Sequence, residues 1–253
     1  MSIFKKTINW NRGVVRWLER QFPSIFGEQN YKNILVQMIQ DDLARNRPSV
    51  VLEVGGIDRP LLQRDKTFTY IGIDIDDKPA CSLIYDSFVV QSIDNPLAIK
   101  ADMIVSITLM EHVPNNTAAT GTIFKALNPG GTTHHYIPSK WHPYSAALRL
   151  VGPTLQKRLI AHLRPGTVEV TGCPAFFDHC SPNSMVRLFA GQGSTEIDLR
   201  CFYRASDYFS FFLPAYLIVV LFEIACAVLG LRFFASGFII SARRPVAQTG
   251  TLK

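Results

Sequence analysis

The sequence predicts an α/β protein built on a doubly wound, mostly parallel sheet of seven strands. Three observations carry this. Apolar runs of strand length alternate with helically spaced segments along most of the chain. Val50, Val51, Leu52 and Val54 form a near-continuous apolar run, as expected of a parallel strand covered on both faces, and the run ends on Gly55-Gly56. The next such run, YIGIDID at 70–76, carries Asp74 at its carboxyl end, where open α/β sheets bind their ligands.

Each element has its own signal. Residues 29–45 space Ile34, Leu35, Met38, Ile39 and Leu43 as a helix does, and Arg47-Pro48 ends the pattern. Strand one is read at 49–54 and strand two at 68–74. The crossover between them is short and contains Pro60, which leaves room for a helical turn or two at most. Strand three is expected at about 83–90, strand four at 102–107, and a helix at 117–127 that stops on Asn128-Pro129-Gly130-Gly131. Strand five follows at 131–137. Ser181-Pro182 is a helix start, with a capping oxygen before a proline, and that helix runs over 182–190 to Gly191. Strands six and seven are placed at about 195–203 and 237–243.

With 253 residues, 47% of them hydrophobic, the chain has enough material for one sizeable core, which reads as one domain with additions. Five cysteines, odd in number and without C-x-x-C spacing, indicate neither a disulfide framework nor a zinc ribbon, so no metal is expected and a reducing cytoplasm is the simple reading. Cys173, His179 and Cys180 read as packing. The net charge of +6 favours negatively charged surroundings. Residues 1–28 mix Lys5, Lys6, Arg12, Arg16 and Arg20 with Trp10 and Trp17, too polar for a secretory signal and suited to an interfacial helix on an anionic membrane or to an amphipathic helix packed on the domain. Nucleic acid is not expected as a partner, because basic clusters interleaved with aromatics do not recur.

A second addition, residues 208–235, lies between strands six and seven. From Phe209 to Leu231 it holds one charge, Glu223. It is long enough to cross a bilayer, yet a single crossing at 209–231 would separate strand seven from strand six. The expectation is a helix or helical hairpin that leaves and returns on one membrane face, with a buried helix, a homodimer contact or a true spanning segment at 209–231 as the alternatives. The last residues, 246–253, read as a loose tail.

Further motifs sharpen the reading. ADMIVSITLMEHVP at 101–114 supplies an aspartate, a strand and a Glu-His pair, and FKALNPGG at 124–131 closes a helix on a Pro-Gly-Gly turn. With the glycine turn and Asp74, this ordered set resembles the class I S-adenosylmethionine-dependent methyltransferases, in particular their small-molecule branch, over roughly 48–140. The sequence departs from that family in having Gly55 and Gly56 adjacent with no third glycine, and in its short crossover. The resemblance implies a methyltransferase domain over 29–245 in which strands six and seven form an antiparallel edge pair, with S-adenosylmethionine as cofactor. It implies that Gly55 and Gly56 line the methionine part, that Asp74 meets the ribose, and that Glu53 orders the glycine turn and faces the sulfonium. Asp86 or Gln91-Ser92-Ile93 would flank adenine, and Ser106 would stand near the cofactor.

Transfer to a hydroxyl needs a base, and histidine suits that task. His112 and His135 are the leading candidates, ahead of His134, His142 and His179. The segment 136–159, with Lys140, Trp141, Tyr144 and Arg149, has the composition of a lid over an anionic or sugar-like acceptor. The resulting expectation is O-methylation of a glycan or lipid-linked small-molecule acceptor by a protein peripheral on the cytoplasmic membrane face. The alternatives are a non-catalytic membrane-attached protein that retains the fold and, less favoured, a nicotinamide-dependent reductase.

Overall fold

The structure is a computed structural model and describes residues 3–27, 29–146 and 174–246. It holds a seven-stranded sheet in the order β3-β2-β1-β4-β5-β7-β6. The strands are β1 (Val50–Val54), β2 (Thr69–Asp74), β3 (Ser87–Val90), β4 (Ala101–Ile107), β5 (Leu127–Pro138), β6 (Thr195–Phe202) and β7 (Gly237–Arg243). Registers of β1 with β2 and β4, β2 with β3, and β4 with β5 are all parallel. Strand β7 returns in the opposite sense. Gly130 N–H donates to Arg244 O and Arg244 N–H to Gly131 O near one end of β5, and Ser139 N–H donates to Ser236 O at the other, in antiparallel order. Ser236 N–H likewise reaches Phe202 O beside β6. Charged residues on β6 (Glu196, Asp198, Arg200) protect the exposed sheet edge from pairing with another chain.

The chain divides into two compact units. The sheet unit comprises Tyr31–Ile137, Ala175–Arg200 and Phe238–Lys253. Its centre is β1, whose Val51 to Val54 are all buried, which explains why this strand is apolar on both faces. Helix α3 (Tyr31–Asn46) turns Leu35, Ile39 and Asp42 inward at helical spacing. Leu52, Ile73, Met103, Ile104, Phe189 and Phe238 complete the core, each fully buried side chain contributing about 1.5–3 kcal/mol. Helix α5 (Asn116–Ala126) is capped by the Asn115 side chain, which accepts from Ala118 N–H at 3.0 Å. Helix α6 (Pro182–Gly191) begins at Ser181-Pro182 as read, but the Ser181 hydroxyl does not cap it and donates to Ser184 Oγ at 2.9 Å instead.

Two sequence expectations change here. Residues 81–84 form a helical turn, α4 (Cys81–Ile84), instead of the start of strand three. The turn buries Cys81 and Tyr85 while Leu83 points outward, a pattern that a continuous strand does not give. Strand five starts earlier, at Leu127, because the Pro-Gly-Gly segment pairs with β7; a Cβ on Gly131 would lie 2.8 Å from Asp102 O. The β1–β2 crossover contains turns and no helix, within the turn or two at most that the sequence allows.

The helical unit comprises Met1–Asn30, Pro138–Pro174 and Cys201–Gly237, so the two additions read from the sequence gather in one compact body. Its helices are α1 (Ile3–Gln21), α2 (Pro23–Phe26) and α7 (Leu213–Val228). Val15 of α1 packs against Tyr216 and Val220 of α7, joined by Leu18, Phe26, Phe209, Leu213 and Ile224. Asn11, buried, donates to Phe211 O at 2.7 Å. The greasy segment is thus one helix of 16 residues between short 3₁₀ turns, not a helical hairpin. At 1.5 Å per residue it measures about 24 Å, short of the roughly 30 Å hydrocarbon core. Among the described residues no helix is long and apolar enough to cross a membrane. The tail from 247 onward lies outside the described residues.

Candidate active site

Parallel strands carry their ligand-facing loops at the carboxyl end, and four such ends converge in the sheet unit: those of β1, β2, β3 and β4. Gly55 follows β1 with φ +83°, and its N–H donates to Ile73 O at 2.8 Å, tying the glycine turn to β2 one residue before Asp74. A Cβ on Gly55 would lie 2.8 Å from Leu109 Cδ1, and one on Gly56 would lie 2.6 Å from Glu53 Cδ. Both positions therefore require glycine. Ile57 and Thr108 also have positive φ, at 43° and 49°, beside the ends of β1 and β4. Left-handed backbone at a β-branched residue is strained, and strain of this kind gathers at functional sites.

Glu53 is fully buried. It accepts from Leu61 N–H at 3.0 and 3.1 Å and from the Tyr70 hydroxyl, with the Tyr85 hydroxyl at 3.5 Å. Desolvation raises its pKa to about 7, against the pull of these hydrogen bonds. Burial, with the Glu53 charge next, pushes both tyrosines upward, so they remain donors. The carboxyl holds the 55–62 loop in place. Tyr70 and Tyr85 escaped the sequence reading: a tyrosine in a strand and another in a segment taken for a strand look like ordinary core.

Asp74 stands half-buried at the end of β2, where burial raises its pKa and Oδ1 accepts from Asp76 N–H at 3.1 Å. Gln91 N–H donates to Asp74 O at 2.8 Å, bringing the 91–93 stretch beside it. Lys78 and Asp58 form an ion pair of 2.9 Å between the β2 and β1 loops. Glu111 and His112 follow β4 in a 3₁₀ turn (Met110–His112). Glu111 is buried, with its pKa raised to about 8 by desolvation, and its Oε2 has no hydrogen-bond partner among the described residues. His112 Nε2 lies 3.8 Å from Glu111 Oε1, and the imidazole is partly exposed.

Three sequence-read site residues lie elsewhere. Asp86 precedes β3, at the opposite end of the sheet from Asp74: it accepts from Tyr70 N–H at 2.8 Å and pairs with Arg64. The bond from Tyr70, then Arg64, holds its carboxyl below the usual range. The misread start of strand three displaced it. Ser106 and His135 are fully buried and bonded to each other, with Ser106 Oγ 2.7 Å from His135 Nδ1. Thr133 Oγ1 donates to Ile104 O at 2.9 Å, so it accepts from His135 Nε2–H, and Nδ1 in turn accepts from Ser106. Burial keeps this imidazole neutral, with a pKa lowered to about 3. Both ring nitrogens are spent, so His135 is a core residue and not a base.

The remaining histidines divide similarly. His134 bridges Asp42 Oδ2 at 2.9 Å and Ser241 Oγ at 2.7 Å on the other face of the sheet. His142 is buried 3.3 Å from Glu223 Oε1 in the helical unit. His179 pairs loosely with Asp178, at 3.7 Å. Trp141 and Tyr144 stack on Phe233 and Tyr208 of their own unit, and Lys140 sits over the Trp141 ring. Arg149 with the rest of the proposed lid, and Cys173, lie outside the described residues.

A family model described as a methyltransferase domain matches residues 27–178, a stretch that holds the glycine turn, Asp74 and the Glu-His pair. The chain belongs to the class I S-adenosylmethionine-dependent methyltransferases. S-adenosylmethionine is the cofactor of this methyltransferase. Solved structures agree on the fold. A carbon methyltransferase, CurJ, shares 11% identity with a TM-score of 0.52, covering 85% of this chain and 54% of that one. Phosphoethanolamine N-methyltransferase 2 of Haemonchus contortus, in complex with phosphomonomethylethanolamine and S-adenosylhomocysteine, shares 13% at 0.51, covering 97% and 61%. The [4+2]-cyclase SpnF shares 15% at 0.50, covering 84% and 80%. This chain thus spans well under two thirds of CurJ and of the Haemonchus protein. No curated protein matches the sequence. The site fits the cofactor: a glycine turn without side chains adjoins a carboxylate at the end of β2, and the half-buried Gln91 and Ser92 flank it.

Proposed function

We propose that this methyltransferase moves the methyl group to an oxygen, a hydroxyl or carboxyl, of a glycan or lipid-linked small-molecule acceptor at the cytoplasmic face of a membrane. The observation that carries the reading is His112: of the two histidines favoured from the sequence it alone sits at the carboxyl end of the strands with its ring partly exposed. A hydroxyl acceptor loses its proton as the methyl arrives, and a partly exposed imidazole is built to receive it.

Gly55, Gly56, Asp74 and the 91–93 stretch are the groups that would hold the cofactor, which supplies an electrophilic methyl on a sulfonium. The protein's own contribution is alignment: the Glu53–Leu61 bonds fix the β1 loop, and the Gly55–Ile73 bond fixes it against Asp74. The apolar surface of the helical unit supports a membrane-face acceptor. The test is transfer of a labelled methyl group to membrane-lipid and surface-glycan fractions. A methyl ester loses its label in mild alkali and an ether retains it, while label on nitrogen contradicts the reading. His112→Ala is expected to lower turnover by about 10²–10⁴-fold with S-adenosylhomocysteine affinity unchanged.

A further inference from the structure

Helix α7 is apolar on its exposed face as well as, apart from one charge, on its buried face, unlike a helix on a water-facing surface. Its one charge, Glu223, is turned inward and buried, where Oε1 accepts from Ala205 N–H at 2.6 Å and Oε2 lies 3.4 Å from Arg204, with His142 on the same carboxylate. Its outward face is wholly apolar: Ile218, Leu221 and Val228 are 68%, 67% and 80% exposed and stand on one stripe with Leu217 and Ala225. Leaving three large aliphatics exposed outward while the one charge is buried inward makes physical sense where the outward medium is not water.

Charge selects between a bilayer and a second protein. Helix α1 packs on α7 through Val15 and carries Lys5, Lys6, Arg12, Arg16 and Arg20 against one acid, Glu19. Arg232 follows α7 directly. Two copies of this surface brought together would set like charges near one another, whereas anionic headgroups complement them. We propose that α7 lies flat in one leaflet of an anionic bilayer, with Ile218, Leu221 and Val228 at the acyl boundary and the cations of α1 and Arg232 drawing it there. The inference rests on the reading of a membrane-face acceptor and gives that reading its docking surface. The attraction of α1 acts over roughly a Debye length, about 8–10 Å, and so does not require its cations to touch the lipid.

The experiment is sedimentation of the full chain with vesicles of phosphatidylcholine and phosphatidylglycerol in equal parts, and with phosphatidylcholine alone, at low and high salt. The protein is expected to sediment with the mixed vesicles, less so as salt rises, with a residue of binding that salt does not remove. Ile218→Asn with Leu221→Asn is expected to abolish binding at every salt concentration. Lys5→Gln, Lys6→Gln and Arg16→Gln are each expected to weaken it about fivefold while leaving the salt-resistant part. Melting temperature and S-adenosylhomocysteine affinity should stay at the wild-type values, because the altered side chains are exposed. Wild-type protein that stays in the supernatant, or an Ile218→Asn/Leu221→Asn variant that binds normally, overturns the inference. A wild-type dimer by light scattering that this variant converts to monomer also overturns it, assigning the stripe to a second copy. Methyl transfer into the lipid fraction without vesicle binding would refute the docking surface and leave the acceptor reading standing.

Discussion

Glu53 and Glu111 are both carboxyls raised by burial, yet their surroundings give them different tasks. Glu53 has three donors and serves as a buried clamp on the β1 loop. Glu111 has an oxygen without a partner among the described residues, so its proton stays on until about pH 8. The sign follows from linkage: a folded-state pKa above the unfolded value of 4.5 gives stability that is complete below 4.5 and lost as pH rises through 8. Glu111→Gln, which mimics the protonated acid, is therefore expected to gain stability over wild type progressively between pH 4.5 and 8. Thermal melts across that range check this, and a constant offset would contradict it. His135 acts oppositely, its contribution being complete above 6.5 and lost as pH falls toward 3. Asp74 and the two glycines were legible because strand ends and glycine turns are local signals. Ser106 and His135 were not, because alternation along β4 and β5 shows that a side chain leaves the sheet on one face but not that a helix covers that face.

At the scale of elements, α7 shows what local sequence conveys and what it withholds. A single charge in a greasy run was plain; its ligands, Arg204, Ala205 N–H and His142, come from other segments and only folding gathers them. Glu223 and Arg204 are 2% and 12% exposed at the side chain, so removing one leaves the other unpaired in a dry place. Glu223→Ala should cost about 3–5 kcal/mol of stability in urea denaturation. The exposed pair of Glu196 and Arg243 makes a contrast, since Glu196→Ala should cost about 0–1 kcal/mol. Equal costs would mean that the Glu223 network is not what anchors α7. Helix α4 was missed for a related reason: four residues give too little periodicity to tell a turn of helix from the start of a strand.

Across the whole molecule, the return of β7 between β5 and β6 requires the segment after β6 to come back to the side it left, which a single bilayer crossing forbids. The same topology sets the cofactor loops of β1 to β4 at one end of the sheet and Asp102, bonded to Ser49 N–H and Val50 N–H, at the other. The succession of strands along the chain was readable from alternating patterns, whereas their order in the sheet and the two units were not, because residues 1–30, 138–174 and 201–237 meet only in three dimensions. A likeness that includes a cyclase shows why fold alone does not name the acceptor. The claim that everything else rests on is that the carboxyl ends of β1 and β2 hold S-adenosylmethionine, with Asp74 on its ribose. Titration calorimetry with S-adenosylhomocysteine tests it. Wild-type protein should bind, and Asp74→Ala should weaken binding by about 1.5–3 kcal/mol with an unchanged circular dichroism spectrum. Binding that is equal in the two proteins, or absent from the wild type while a nicotinamide dinucleotide binds, would contradict the account.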